Sequence, residues 1–275
     1  LSLHDALPIL DKSFVVDVLN LLKNSWNNTS YHVYAVVAPA VSSQFQGVKT
    51  EQVYAGIKEL GFYDVVEAAI GADMVSAFEA KELAETVEEK GWKTSSCCPA
   101  FVDYVEKNYP QFVDHISTAV SPMIATARAI KAKDKKARVV FVGPCTAKKV
   151  EMKREALKDA VDIVITFEEL QAIFDAREID LVSLEPRMAG EASSFGRNFA
   201  RTGGVTESVA HTLELSGLDL DVKAVRCNGI DECIKAMKMA SFGKLDANFI
   251  EGMACKHGCT GGAASLLHDA KGIEM

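Results

Sequence analysis

The chain is predicted to fold as an α/β protein of two lobes, each a parallel or mixed sheet flanked by helices. Three observations predict this. Apolar runs of four to seven residues alternate with stretches of helical period, the pattern of strands joined by crossover helices. Several of these runs end at Gly, Pro or Cys, where a chain turns at a strand end. Residues 184–204, with Pro186, Gly190, Gly196, Gly203 and Gly204, show little periodicity and read as an extended connection between lobes. The lobes are expected at about 31–135 and about 136–275.

Residues 31–37 read as a buried strand running into Ala38, Pro39 and Ala40. Thr50 is placed to cap a helix over 51–60, which Gly61 stops. Residues 64–68 form a second strand, and 75–90 a strong amphipathic helix closed by Gly91. A short strand over 92–94 leads to Cys97, Cys98 and Pro99, with the proline at a favoured first helical position. Helices are expected over 122–133, 148–158 and 168–176, and strands over 137–142 and 163–166. Further strands at 222–225 and 247–250 are each expected to lead into a helix.

The 275 residues suffice for one large or two modest domains, and 48% hydrophobic with 25% charged residues is ordinary for a globular chain. A net charge of -8 argues against nucleic acid as the main partner. No apolar run approaches the roughly 18 residues of a membrane span. Seven cysteines without a secretory signal read as reduced thiols of a cytoplasmic protein, several of them metal-bound. Residues 1–9 lack a structural pattern and read as a non-native leader. The chain stops over 271–275 without a closing element, so it reads as a fragment of a longer protein. Cys227 and Cys233 lie outside the motifs below and read as structural thiols.

Three segments carry the chemistry. They are Thr94-Ser95-Ser96-Cys97-Cys98-Pro99-Ala100-Phe101, then Gly143-Pro144-Cys145-Thr146-Ala147-Lys148-Lys149-Val150-Glu151, then Glu251-Gly252-Met253-Ala254-Cys255-Lys256-His257-Gly258-Cys259-Thr260-Gly261-Gly262. Each lies where a strand hands over to a turn or helix, the place where α/β proteins build sites. Four thiolates suit an iron–sulfur cluster or zinc, and ligand type and number leave both open. The i,i+4 spacing of Cys255 and Cys259 puts two thiolates on one helical face. Gly258, Gly261 and Gly262 are expected to let the backbone approach a bulky inorganic group.

In this order and with compatible spacing, the segments resemble the three signature segments of the [FeFe]-hydrogenase catalytic domain. The family forms are Thr-Ser-Cys-Cys-Pro-x-Trp, Met-Pro-Cys-x-x-Lys-x-x-Glu and Glu-x-Met-x-Cys-x-x-Gly-Cys-x-x-Gly-Gly. The likeness runs from about residue 31 to about 271, so 10–275 would form one such domain, its cofactor in the cleft between the lobes. It implies a [4Fe-4S] cluster on Cys98, Cys145, Cys255 and Cys259. Cys259 would also bridge to a diiron subsite with CO, CN⁻ and a bridging dithiolate, completing the H-cluster.

The same resemblance makes Cys97 a proton-transfer thiol, with Glu79, Glu82 and Ser117 as its relay, in the order Cys97, Glu82, Ser117, Glu79. Read without it, Cys97 is a bystander thiol, and the two glutamates belong to a solvated face with Glu85, Glu88 and Glu89. Lys148 matches a donor to one cyanide, Ala38 and Pro39 the backbone lining the other, and Met253 a thioether packed over the cluster. Gly203-Gly204-Val205 resembles the family's lobe connection. The implied activity is reversible interconversion of H2 with protons and electrons. A ferredoxin or accessory iron–sulfur domain would be the electron partner, and maturation proteins would insert the diiron unit.

Departures from the family forms are Gly143 for Met, Met123 for Gln, and Phe101 for Trp, as in a branch carrying Gly-Pro-Cys-Thr-Ala-Lys-Lys. Rival readings are a sensory hydrogenase-like protein, a Narf-like iron–sulfur assembly protein, and a zinc or redox-inert protein. Cys97 with the acidic relay weighs against the first, and Cys97 with Lys148 against the second.

Overall fold

Among the described residues of the computed structural model, seven strands run parallel to their neighbours in two separate sheets. The structure describes residues 12–267, so the expectations for 1–9 and 271–275 lie outside the described residues.

The larger sheet has the order β2-β1-β4-β5, from β1 (Val33–Val37), β2 (Asp64–Glu67), β4 (Arg138–Gly143) and β5 (Ile163–Thr166). Its central strands are covered on both faces, which is why they read as unbroken Val, Ala and Phe runs rather than as alternation. Helices α1 (Val15–Asn24), α2 (Thr50–Glu59), α5 (Pro122–Lys133) and α7 (Phe167–Ala176) flank it. The α7 start is a capping box: Thr166 Oγ1 accepts from Glu169 N, and Glu169 accepts from Thr166 N.

The smaller sheet has the order β3-β7-β6, from β3 (Lys93–Thr94), β6 (Ala224–Asn228) and β7 (Phe249–Met253). Helices α4 (Pro99–Asn108) and α10 (Ile230–Ser241) cover one face. The 22-residue α3 (Ala69–Lys90) packs against α5 on one side and α9 (Gly204–Leu215) on the other, joining the sheets. The approach of α3 to α5 requires Gly71, where a Cβ would sit 2.3 Å from Pro122 O.

The division near 135/136 is corrected. The larger sheet takes strands from both 33–67 and 138–166, and the smaller from 93–94 and 224–253, so the chain crosses between lobes repeatedly. Parallel pairing explains this, since each new strand must return by a crossover and can join either sheet. The helix expected over 148–158 ends early, as α6 (Ala147–Glu151), and continues in turns. The 184–204 connection contains a short helix, α8 (Ser194–Asn198), and no α-helix follows β7 among the described residues. There Cys255 leads through a turn, with His257 and Gly258 at positive φ, into a 3-10 turn at Gly258–Gly261. Cys255 and Cys259 therefore do not share an α-helical face.

Candidate metal centre

Both sheets aim their carboxyl ends at one cavity, the placement expected of parallel sheets. Ala38 and Pro39 follow β1, Cys145 follows β4, Cys97 and Cys98 follow β3, and Met253 ends β7. All six line the cavity, together with Lys148 and Cys259. The remaining wall is mostly apolar and includes Met123, Phe141, Phe199 and Ala200.

Cys98, Cys145, Cys255 and Cys259 act on one another electrostatically: Cys98 raises the other three, and Cys145 and Cys255 raise Cys259. Burial is the larger cause in each case, and it pushes Cys145 up to about 11. Among the described residues, no three His, Cys, Asp or Glu side chains converge closely enough to hold a single ion. Thiols gathered around one mostly apolar cavity fit a cofactor of soft-ligand type, such as an iron–sulfur cluster.

The glycines act differently from expectation. A Cβ at Gly258 would meet Ala200 O at 2.6 Å, and one at Gly262 would meet Pro144 O at 2.5 Å. They let the Cys259 turn lie directly on the segments that carry Ala200 and Cys145, and Cys259 N donates to Ala200 O at 2.7 Å. The departures from the family forms also have packing reasons. A Cβ at Gly143 would press on Phe141 and on Ala38, and fully buried Phe101 fills the space over Gly252.

Lys148 is buried, with Nζ donating to Glu151 Oε2 at 2.6 Å and to the Cys97 carbonyl at 3.0 Å. Burial alone would lower its pKa, but Glu151 and the nearby thiols outweigh it and the ammonium is held charged. Two of its three donors are thereby used, leaving one for the cavity it lines.

Behind Cys97 lies Glu79, only 2% exposed. Its Oε1 accepts from Ser96 N at 3.2 Å, and its Oε2 is buried without a hydrogen-bond partner. Burial pushes this carboxyl up to about 7, partly offset by Ser96 and Ser117. Cys97 is itself pushed well up, first by burial and then by the charge of Glu79. Glu82 lies farther out and lines a groove of about 620 Å³ with Lys93, Ser96, Ser117 and Ser121. Burial would raise Glu82, yet hydrogen bonds from Ser117, Lys93 and Thr118 bring it below the ordinary carboxylate range. Glu79 is thus the inner carboxyl, beside Cys97, Ser117 acts on both carboxyls, and Glu82 is the outer one at the groove, which differs from the expected order Cys97, Glu82, Ser117, Glu79.

Sequence reasoning missed several supports. Glu251 is fully buried in β7 and accepts from Gly203 N, Thr206 N and Thr206 Oγ1, tying the start of α9 to the smaller sheet. A lone carboxylate inside an apolar strand was the signal available. Gln44 clamps the Cys259 turn through Thr260 O and Leu266 N. Cys227 and Cys233 lie fully buried in the core under the smaller sheet.

Residues 31–263 match the family model described as iron only hydrogenase large subunit, C-terminal domain. The chain is 30% identical to iron hydrogenase 1 of Clostridium pasteurianum over 311 aligned positions, 93% of this chain and 54% of that one. It is 35% identical to the cytosolic Fe-S cluster assembly factor NAR1 of Kluyveromyces lactis over 96 residues, 35% of this chain and 20% of that protein. The chain spans about half the length of the curated hydrogenases it matches. A variant of the [FeFe]-hydrogenase HydA1 from Chlamydomonas reinhardtii superimposes with TM-score 0.78 at 24% identity, over 95% of this chain and 87% of that one, which shows a shared fold. The three motifs, the parallel sheets that bring them together and the match across 31–263 lead to one assignment: the chain belongs to the family of C-terminal domains of iron-only hydrogenase large subunits.

Proposed function

We propose that this chain is the catalytic domain of an iron hydrogenase that interconverts H2 with two protons and two electrons. The observation that carries this reading is a cavity lined by Cys98, Cys145 and Cys259, with Cys255 close enough to act on them electrostatically, and by a further cysteine, Cys97, backed by the buried carboxyl of Glu79. Cys98, Cys145, Cys255 and Cys259 would hold the [4Fe-4S] cluster, with Cys259 shared with a diiron subsite. When bound, that cofactor supplies the site of H2 cleavage and formation and the electron storage.

The protein does the rest. The apolar wall of Met123, Phe141, Phe199 and Ala200 keeps water from the reacting centre. The Lys148 ammonium, fixed by Glu151 and the Cys97 carbonyl, offers its remaining donor to an anionic ligand such as cyanide. Ala38 and Pro39 present backbone to the opposite side, and Met253 offers a soft thioether. Cys97 Sγ exchanges a proton with the reacting centre and passes it to Glu79, whose elevated pKa suits both uptake and release near neutral pH. Ser117 links Glu79 to the outer groove. Electrons would come from a ferredoxin or an accessory iron–sulfur domain, with maturation proteins inserting the diiron unit, and the cytoplasm is the proposed location. No helix among the described residues is long and apolar enough to cross a membrane.

An anaerobic infrared spectrum after loading with a synthetic diiron precursor tests the reading. Sharp CO and CN⁻ bands that shift under H2 are expected. A [4Fe-4S] signal without those bands would favour the assembly-factor role suggested by the partial likeness to NAR1. Cys97→Ala is expected to keep its cluster and lose most turnover, and unchanged turnover would remove Cys97 from the path.

A further inference from the structure

Lys93 sits in the two-residue strand β3, its side chain only 4% exposed. Lysine is almost never buried this far without a partner, and its Nζ lies 3.0 Å from Glu82 Oε1. Thr118 adds two donors to the same oxygen, from Oγ1 at 2.8 Å and N at 3.1 Å, and the amide also reaches Oε2 at 3.2 Å. Glu82 is therefore gripped by an ammonium, a hydroxyl and an amide. Glu79, one helical turn away on α3, has one amide and a long hydroxyl contact on Oε1, and nothing on Oε2.

The two carboxyls thus stand in opposite environments. We propose that Lys93 is a positioning residue of the proton path, holding Glu82 as a carboxylate at rest so that Glu79 is the carboxyl that stores the proton. The inference deepens the hydrogenase reading and rests on it for its meaning, though not for its test. The physical reason is that an opposite charge within hydrogen-bond distance, added to neutral donors, favours the ionised form by both routes open to a carboxyl. Ser117 lowers both carboxyls, as the first of the lowering causes at Glu82 and the last of them at Glu79. Protons delivered inward must then cross an outer group that is seldom protonated, whereas protons released outward meet a ready acceptor at the groove. Other charged groups lining that groove are Lys90, Asp114, Glu106, Arg128, Glu151 and Arg154. The last four belong to ion pairs or hydrogen bonds of their own: Arg154 with Glu106, Glu151 with Lys148, and Arg128 with the Ala156 carbonyl. Of the cations among them, Lys93 is the one in contact with Glu82.

The test is a carboxyl titration of the full chain, followed by ¹³C NMR on glutamate-labelled protein both before and after cluster loading. Signals are assigned by their loss in Glu79→Gln and Glu82→Gln. In the parent, Glu82 is expected to titrate below the ordinary range and Glu79 near 7. Lys93→Met should raise the Glu82 midpoint by about one pH unit or more, and Lys93→Arg should restore it. A Glu82 midpoint unmoved by Lys93→Met, in protein that keeps its Trp92 fluorescence and circular dichroism, overturns the proposal. Should Lys93→Met not fold, the parent still decides: Glu82 titrating within or above the ordinary range overturns the proposal, and titration below it that Lys93→Arg retains upholds it. Because the readout needs no diiron unit, absent CO and CN⁻ bands would sink the hydrogenase reading while leaving this measurement intact.

Discussion

The two sheets divide the work unevenly. The four-stranded sheet has the larger apolar core and supplies one candidate cluster ligand, Cys145, with Lys148 just beyond it. The three-stranded sheet has one strand of only two residues, yet Cys97, Cys98, Met253, Cys255 and Cys259 all follow or end its strands. It is propped by buried polar contacts: Ser95 Oγ accepts from Gly252 N at 3.1 Å, and Glu251 receives the start of α9. Apolar burial makes a scaffold, whereas satisfied polar networks hold a reactive surface in one arrangement. The reactive half of this domain therefore depends on contacts that a single substitution can remove.

The largest effect tests whether both halves are needed for the metal. Cys98→Ala and Cys145→Ala each remove one thiol, from opposite sheets, and both should reduce retained iron after anaerobic reconstitution to background. Iron retained in Cys145→Ala alone would mean that the larger sheet carries no ligand. Next, Lys148→Met leaves the Glu151 carboxylate buried without its ammonium, and about 3–5 kcal/mol of stability should be lost in urea titrations. A loss under about 1 kcal/mol would show that the pair is effectively solvated.

Glu79 links the halves through α3 and gives a pH signature. Its folded-state pKa, about 7, is raised from 4.5, so folding favours the protonated form. Its contribution is fully present below 4.5 and is lost as pH rises to about 7, amounting to about 3 kcal/mol across that window. Glu79→Gln should flatten this fall, and an unchanged stability profile would show that Glu79 is not buried in solution. Glu82 and Glu169, with lowered values, act in the opposite sense and lose their contribution on acidification.

Gly252→Ala drives a Cβ into the Phe101 ring and should cost about 1–3 kcal/mol, confined to the smaller sheet. Trp92 packs beside that sheet and Trp26 is 73% exposed, so Trp26→Phe isolates the reporter. Equal destabilisation reported by probes in both sheets would show that they unfold as one unit. The smallest change, Thr166→Ala, removes the α7 cap on the larger sheet and should cost about 1 kcal/mol. Calorimetry with no shift would show that Glu169 alone suffices there.

The strands at 33–37, 64–67, 138–143 and 163–166 were legible because buried parallel strands are continuous apolar runs, and Pro99 and Pro122 mark helix starts by their fixed φ. The helix at 15–24 was not expected, and α6 ends where turns begin after Glu151, which helical propensity did not signal. The i,i+4 cysteines suggested a helix, but His257 and Gly258 take left-handed backbone and break it.

By itself, the sequence determined the α/β class, the three cysteine motifs and their resemblance to one family, because periodicity and motif spacing are local properties of the chain. Tertiary structure decided which strands share a sheet, since crossover connections of similar length can return to either one. It also decided that Glu79 is the inner carboxyl and Glu82 the outer. The two are one helical turn apart on α3, and only packing of β3 and the 117–121 segment against that helix buries one and brings Lys93 and Thr118 to the other. The order proposed for the proton path rests on that difference in surroundings, which chain spacing does not record.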